Sequence, residues 1–177
     1  MDTISLAMIK ELRGVALYNL YSNLNPNPNI LPEYIANCGN IAGTLGSYFA
    51  ASGGGSVSLE SGTGIAGTNS IKVNCVASTN SGALSSAMPV SGNTQYTFYT
   101  LVRGQGNFKN ILYERKENGV FAQQTHGSTI ALNGYHVVRT TVTTHADAVD
   151  IKFYWVTADP SVMSFNILAC SCKVGAY

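Results

Sequence analysis

Between residues 70 and 173 apolar and polar side chains alternate in short blocks, and Gly, Asn and Ser punctuate the blocks. The block at 90–104 sets the pattern. Tyr96, Phe98, Thr100 and Val102 share one face of an extended chain, and Thr97, Tyr99, Leu101 and Arg103 share the other. A period of two predicts a half-buried β-strand. Ser91-Gly92-Asn93 and Gly104-Gln105-Gly106 read as the turns that end it, because Gly and Asn accept the positive φ of tight turns. Ile71, Val73 and Cys75 predict an inward face for 70–76, and residues 83–89 a weaker strand. Strands are expected at 108–114 and 120–126 around Glu117-Asn118-Gly119, whose Asn-Gly suits a hairpin. Residues 128–132 form a short strand or loop, Asn133-Gly134 a second turn, and 135–144 a long strand with Val138 and Val142 on one face. Val149, Ile151, Phe153 and Trp155 share a face, and the last strand, 164–173, turns Phe165, Ile167 and Ala169 inward.

The preceding segments are less regular. Tyr48-Phe49 and 57–59 are short strand candidates within a loop-rich stretch, 33–69, centred on Gly53-Gly54-Gly55. Gly62-Thr63-Gly64-Ile65-Ala66-Gly67 spells GxGxxG. A dinucleotide site requires that motif to open a helix, whereas a strand follows here with no acidic ribose partner about 20 residues on. A glycine-rich turn is expected instead. Prolines at 26, 28 and 32 exclude a helix there and favour an extended edge.

Residues 1–23 carry a different period. Ile4, Met8 and Leu12 form a stripe four residues apart, with Ile9 beside it and Leu6 on the far side. Asp2 or Thr3 can cap the start of a helix and Gly14 can end it. A helix of about ten residues is marginal alone in water. It must pack on its own domain, on copies of itself or on another protein. The predicted fold is therefore all-β, a jelly-roll β-sandwich of two antiparallel sheets at 24–177, preceded by a short N-terminal helical segment at 1–23 that anchors or oligomerises it. Ile4, Leu6, Met8, Ile9 and Leu12 are the assembly candidates.

Composition narrows the function. Charged residues make up 11% of the chain, about half the usual share, and the net charge is +1. Neither a nucleic-acid footprint nor a membrane span is visible, so neither partner is expected. The first residues lack the basic start of a signal peptide. Cys38, Cys75, Cys170 and Cys172 fit no zinc spacing and read as small reduced core residues, with a disulfide as the lesser alternative. His126, His136 and His145 are scattered, and no HExxH or GxSxG occurs. Glu114 and Glu117 flank a turn and read as turn charges rather than a glycosidase pair. Asp147 and Asp150 could share a cation, yet no metal or cofactor is expected. The chain reads as a non-enzyme.

A sugar site needs an aromatic platform beside amides or charges. The outward faces offer Tyr99, Glu114, Lys152, Tyr154 and Asn166. The same tyrosines would suit a subunit interface. Trp155, in phase with Ile151 and Phe153, belongs to the core.

Several segments, in order, resemble the jelly-roll carbohydrate-binding modules of the family 4/9/22 type, especially their diverged copies in bacteriophage structural proteins. Leu24-Asn25-Pro26-Asn27-Pro28 is similar to their opening segment. Gly67 with Ser70-Ile71-Lys72-Val73, and Ser91-Gly92-Asn93-Thr94-Gln95-Tyr96-Thr97-Phe98, resemble two strands. Gly134-Tyr135-His136-Val137-Val138-Arg139 resembles a third with Tyr135 in a Trp place, and Phe165-Asn166-Ile167 resembles the last with Asn in an acidic place. The resemblance implies two antiparallel sheets. Its sugar binders use aromatic residues in a cleft, and many carry a structural calcium whose acidic positions are poorly matched here. It further implies a virion protein of a tailed phage (head decoration, fibre or baseplate), assembled in the host bacterial cytoplasm. Its partners would be other virion proteins and its own copies, a trimer suiting a fibre. The alternative is a module that recognises a host or environmental glycan.

Overall fold

The computed structural model describes residues 48–65 and 68–175, with Ala16 and Leu45. The helix expected within 1–23, its five assembly candidates, the proline-rich 24–32 and Cys38 lie outside the described residues, apart from Ala16. Ten strands are described: β1 (Phe49–Ser52), β2 (Ser56–Glu60), β3 (Ser70–Cys75), β4 (Gly82–Ser85), β5 (Met88–Pro89), β6 (Gln95–Arg115), β7 (Phe121–His126), β8 (Ile130–Thr143), β9 (Asp150–Thr157) and β10 (Met163–Val174). Their pairings are antiparallel. They form two layers that share β6. Its first half pairs with β8 and β10, and β3 and β2 follow beyond β10. Its second half pairs with β7 and β9, and β4 and β1 follow beyond β9.

The sharing of β6 corrects two expectations. Gly104-Gln105-Gly106 and Asn133-Gly134 are not turns; they lie inside β6 and β8, where Gly104 pairs with Gly134 and Gly106 with Leu132. The ribbon bends there as it passes from one layer to the other. Glycine is required for contact reasons at Gly104, where a Cβ would sit 2.6 Å from Phe165 Cβ. At Gly106 it is required for conformation, at a φ of +113°. A sequence window cannot distinguish a glycine that reverses the chain from one that lets two layers approach. The hairpin at 117–119 forms as expected, with Asn118 and Gly119 at positive φ.

The core lies between the layers. Phe98 of the first layer meets Phe153 of the second edge-to-face, with ring centroids 4.0 Å apart, and Phe108 meets Phe165 at 5.1 Å. Trp155 is fully buried, stacked on Phe153, and its indole N–H donates to Thr100 Oγ1 at 3.0 Å. Ile71, Val73, Cys75, Val138, Val142, Ile151, Phe165 and Ile167 join this core as predicted. Cys75, Cys170 and Cys172 are buried. Two phase expectations fail. Val149 precedes β9 and is exposed. The β10 ladder slips between Ile167 and Ala169, so Leu168 and Ala169 both join a second cluster, with Tyr99 and Leu101, on the opposite face of the first layer.

Candidate functional site

The outer face of the second layer carries an aromatic strip. The period of two turns Lys109, Ile111, Tyr113 and Arg115 outward on β6, and Asp150, Lys152 and Tyr154 outward on β9. Their antiparallel register sets Tyr113 directly opposite Lys152, Ile111 opposite Tyr154, and Arg115 opposite Asp150. On the other side of β6, β7 sets Gln124 opposite Tyr113 and His126 opposite Ile111. A bulge in this ladder brings Phe121 opposite Arg115 and onto the same face. The ring of Tyr113 lies 5.2 Å from Phe121 and 6.2 Å from Tyr154. Phe121 is 49% exposed, and Tyr113 and Tyr154 are half-buried. Rings half-embedded in a sheet present faces and edges without free rotation.

Polar groups surround the strip. Arg115 grips Asp150 with two charge-assisted hydrogen bonds, at 2.7 and 2.8 Å, which fixes one end. That hydrogen bonding also raises the Arg115 pKa. Gln124 Nε2 lies 2.9 Å from His126 Nε2. Burial pushes the Tyr154 phenol pKa up, and Tyr113 adds to the shift.

Of the five glycan candidates, Lys152 and Tyr154 come together here. Tyr99 and Glu114 are not accessible: Tyr99, on the outer side of the first layer, is 1% exposed beneath the second cluster, and Glu114 faces inward and is fully buried. Glu114 faces the interior, where Oε2 accepts from the His145 backbone N–H at 2.7 Å and Oε1 from Gln123 at 3.2 Å, tying β7 to the turn after β8. Alternation on β6 places Glu114 on the face of Phe108 and Leu112, and only the closing of the sandwich shows that this face is inside. Asn166 lies on the other layer. Its amide donates to Glu60 at 2.7 Å and to Ser70 at 2.8 Å, and Lys72 donates to Glu60 at 2.8 Å. Beside it Arg103, Gln105, Asn133 and Ser164 line a groove of about 360 Å³, where Arg103 donates to the Tyr135 hydroxyl at 3.0 Å.

Tyr113, Phe121, Gln124 and His126 were missed as site residues. The signal was present, since the Asn118-Gly119 hairpin forces Tyr113 and Phe121 into proximity. What was lacking was the pairing with β9 that adds Tyr154 and Lys152. Asp147 and Asp150 do not share a site; each binds a basic partner, Lys116 and Arg115. Among the described residues no cluster of three or more His, Cys, Asp or Glu could hold a metal. The strip can stack a flat apolar ligand face and donate hydrogen bonds around it.

No protein-family model and no curated protein matches the chain. Solved structures do match in fold. The C-terminal family 22 carbohydrate-binding module of Clostridium thermocellum Xyn10B aligns with a TM-score of 0.56 at 23% identity, over 74% of this chain and 87% of that one. The tandem family 22 modules of Paenibacillus barcinonensis Xyn10C align with a TM-score of 0.64 at 10% identity, over 85% of this chain and 46% of that one. The enzymatically active domain of bacteriophage CBA120 tailspike protein 4 aligns with a TM-score of 0.59 at 8% identity, over 83% of this chain and 21% of that one. The architecture is thus a β-sandwich of the kind found in carbohydrate-binding modules. At these identities the likeness establishes the fold.

Proposed function

We propose that this chain is a non-enzymatic carbohydrate-binding domain that holds a glycan on the outer face of its second layer. The observation that carries this reading is the strip of Phe121, Tyr113 and Tyr154, three rings on adjacent strands with polar side chains on their flanks. Sugar rings present C–H faces that stack on aromatic platforms, and the surrounding polar groups orient the hydroxyls. Family 22 modules with the same fold support it. The virion role expected from the sequence rests on residues 1–23 and on a fold shared with one tailspike. Glycan binding therefore replaces it as the leading reading.

A glycan array followed by affinity electrophoresis tests this. Tyr113→Ala and Tyr154→Ala are each expected to weaken retention about 10-fold or more, as loss of an aromatic anchor does, with melting temperature held near the parent's. Unchanged retention in both variants refutes the site.

A further inference from the structure

We infer that the glycan held by this face is acidic, a polymer bearing carboxylated (uronate-type) sugars, and that Lys152 and Lys109 receive its carboxylates. The inference rests on the glycan-binding reading and adds the ligand class.

The observation is an imbalance of charge around the strip. The six described strands of the second layer (β1, β4, β5, β7, β9 and the second half of β6) carry two carboxylates: Glu114 on β6 and Asp150 on β9. Neither is free. Glu114 points inward and is fully buried, with both oxygens hydrogen-bonded. Asp150 is gripped at both oxygens by Arg115. Lys109 and Lys152 remain on the outer face. Neither makes an ion pair or hydrogen bond with the described residues. Lys152 is the direct cross-strand partner of Tyr113 and lies two residues from Tyr154 on β9. Cross-strand partners stand about 5 Å apart at Cβ, so the ammonium group reaches the rim of a sugar stacked on Tyr113.

Neutral sugars offer hydroxyls that donate as well as accept, and carboxylates or amide oxygens meet the donors. An ammonium group has three donors and no acceptor. A face whose carboxylates are all engaged, and whose unengaged charges are ammonium groups beside aromatic rings, matches a ligand that supplies acceptor oxygens and negative charge. Two half-buried cations on one face, neither ion-paired among the described residues, also attract a polyanion at low ionic strength.

The test uses polygalacturonate, alginate and glucuronoxylan, each paired with its carboxyl-reduced counterpart so that the backbone is kept and the charge removed. Retention is measured by affinity electrophoresis at low and high salt for the full chain, Lys152→Gln, the Lys109→Gln/Lys152→Gln pair, Tyr113→Ala and Tyr154→Ala. At least one acidic polymer is expected to be retained, with severalfold weaker retention of its reduced form. Lys152→Gln should lose about fivefold, the scale of one exposed ion pair, and the double variant more. Raised salt should weaken the parent more than the double variant. If reduced and acidic polymers are retained equally and the lysine variants match the parent, the acidic class is wrong while the sugar site stands. If Tyr113→Ala and Tyr154→Ala are both retained as well as the parent, the sugar site itself is wrong. If none of these polymers is retained but a neutral glycan is, the acidic class is again refuted alone. If no glycan of either kind is retained, both readings fall.

Discussion

The indole N–H of Trp155 donates to the hydroxyl of Thr100 at 3.0 Å, a hydrogen bond that runs through the core from the second layer to the first. Both residues are at most 1% exposed. The largest side chain of the core thereby buries its one polar group without cost, and the two layers are registered by a directional contact as well as by apolar packing.

Thr100→Val should destabilise the domain by about 1–3 kcal/mol, since it leaves the Trp155 N–H buried without an acceptor. Adding Trp155→Phe to that variant should cost less than Trp155→Phe costs in the parent, because the orphaned donor is removed with it. Urea unfolding of the four proteins checks both statements. Strict additivity would show that the contact carries no coupling.

Gly104→Ala should cost about 1–3 kcal/mol. The new methyl would stand 2.6 Å from Phe165 Cβ and 3.0 Å from its Cα, and backbone cannot rotate away as a side-chain end can. Gly134→Ala, on the opposite strand, has open space but a φ of +125° and should be strained by conformation alone. Thermal melts rank them. A fully tolerated Gly104→Ala would contradict the close approach of β10 to the bend.

Tyr99 and Tyr154 should separate stability from binding. Tyr99→Ala removes a buried ring packed with Leu101, Leu168 and Ala169, and should cost about 3–5 kcal/mol while glycan retention by the folded fraction is unchanged. Tyr154→Ala should do the reverse. Chemical denaturation alongside affinity electrophoresis reads both quantities.

Glu60 predicts an acid-side dependence of stability. The hydrogen bond from Lys72, followed by that from Asn166, holds its carboxyl below the usual carboxylate range. A group whose pKa is lower in the folded state stabilises fully above its unfolded value, near 4.5, and loses that contribution as pH falls through the folded value. Melting temperature should therefore fall less steeply below pH of about 4.5 in Glu60→Gln than in the parent. Parallel profiles would show that this network adds nothing to folding.

Most of the strand inventory was legible in the sequence because alternation is local. Ile71, Val73 and Cys75 turn inward, as do Tyr96, Phe98 and Val102, and a one-residue slip would expose them all. Trp155 was legible as core for the same reason. Tyr99 shows where that information stops. Alternation places it opposite Phe98, and so away from the main core, but not in solvent. A second apolar cluster buries it, assembled from β10 through a bulge nearly 70 residues further on. Part of the candidate site was legible, as Lys152 and Tyr154. Tyr113 and Phe121 became part of it only through pairings on both sides of β6.

By itself the sequence determined the all-β class, the phase of most strands, the hairpin at Asn118-Gly119 and the burial of Trp155, because each depends on side chains within a few residues of one another. Only the tertiary structure decided that Gly104 and Gly134 bend a shared ribbon instead of ending strands, that Glu114 faces inward, and that three rings and two lysines lie on one face. Those outcomes depend on which strands lie side by side, and that is set by closure of the two layers over a common core rather than by any local preference of the chain.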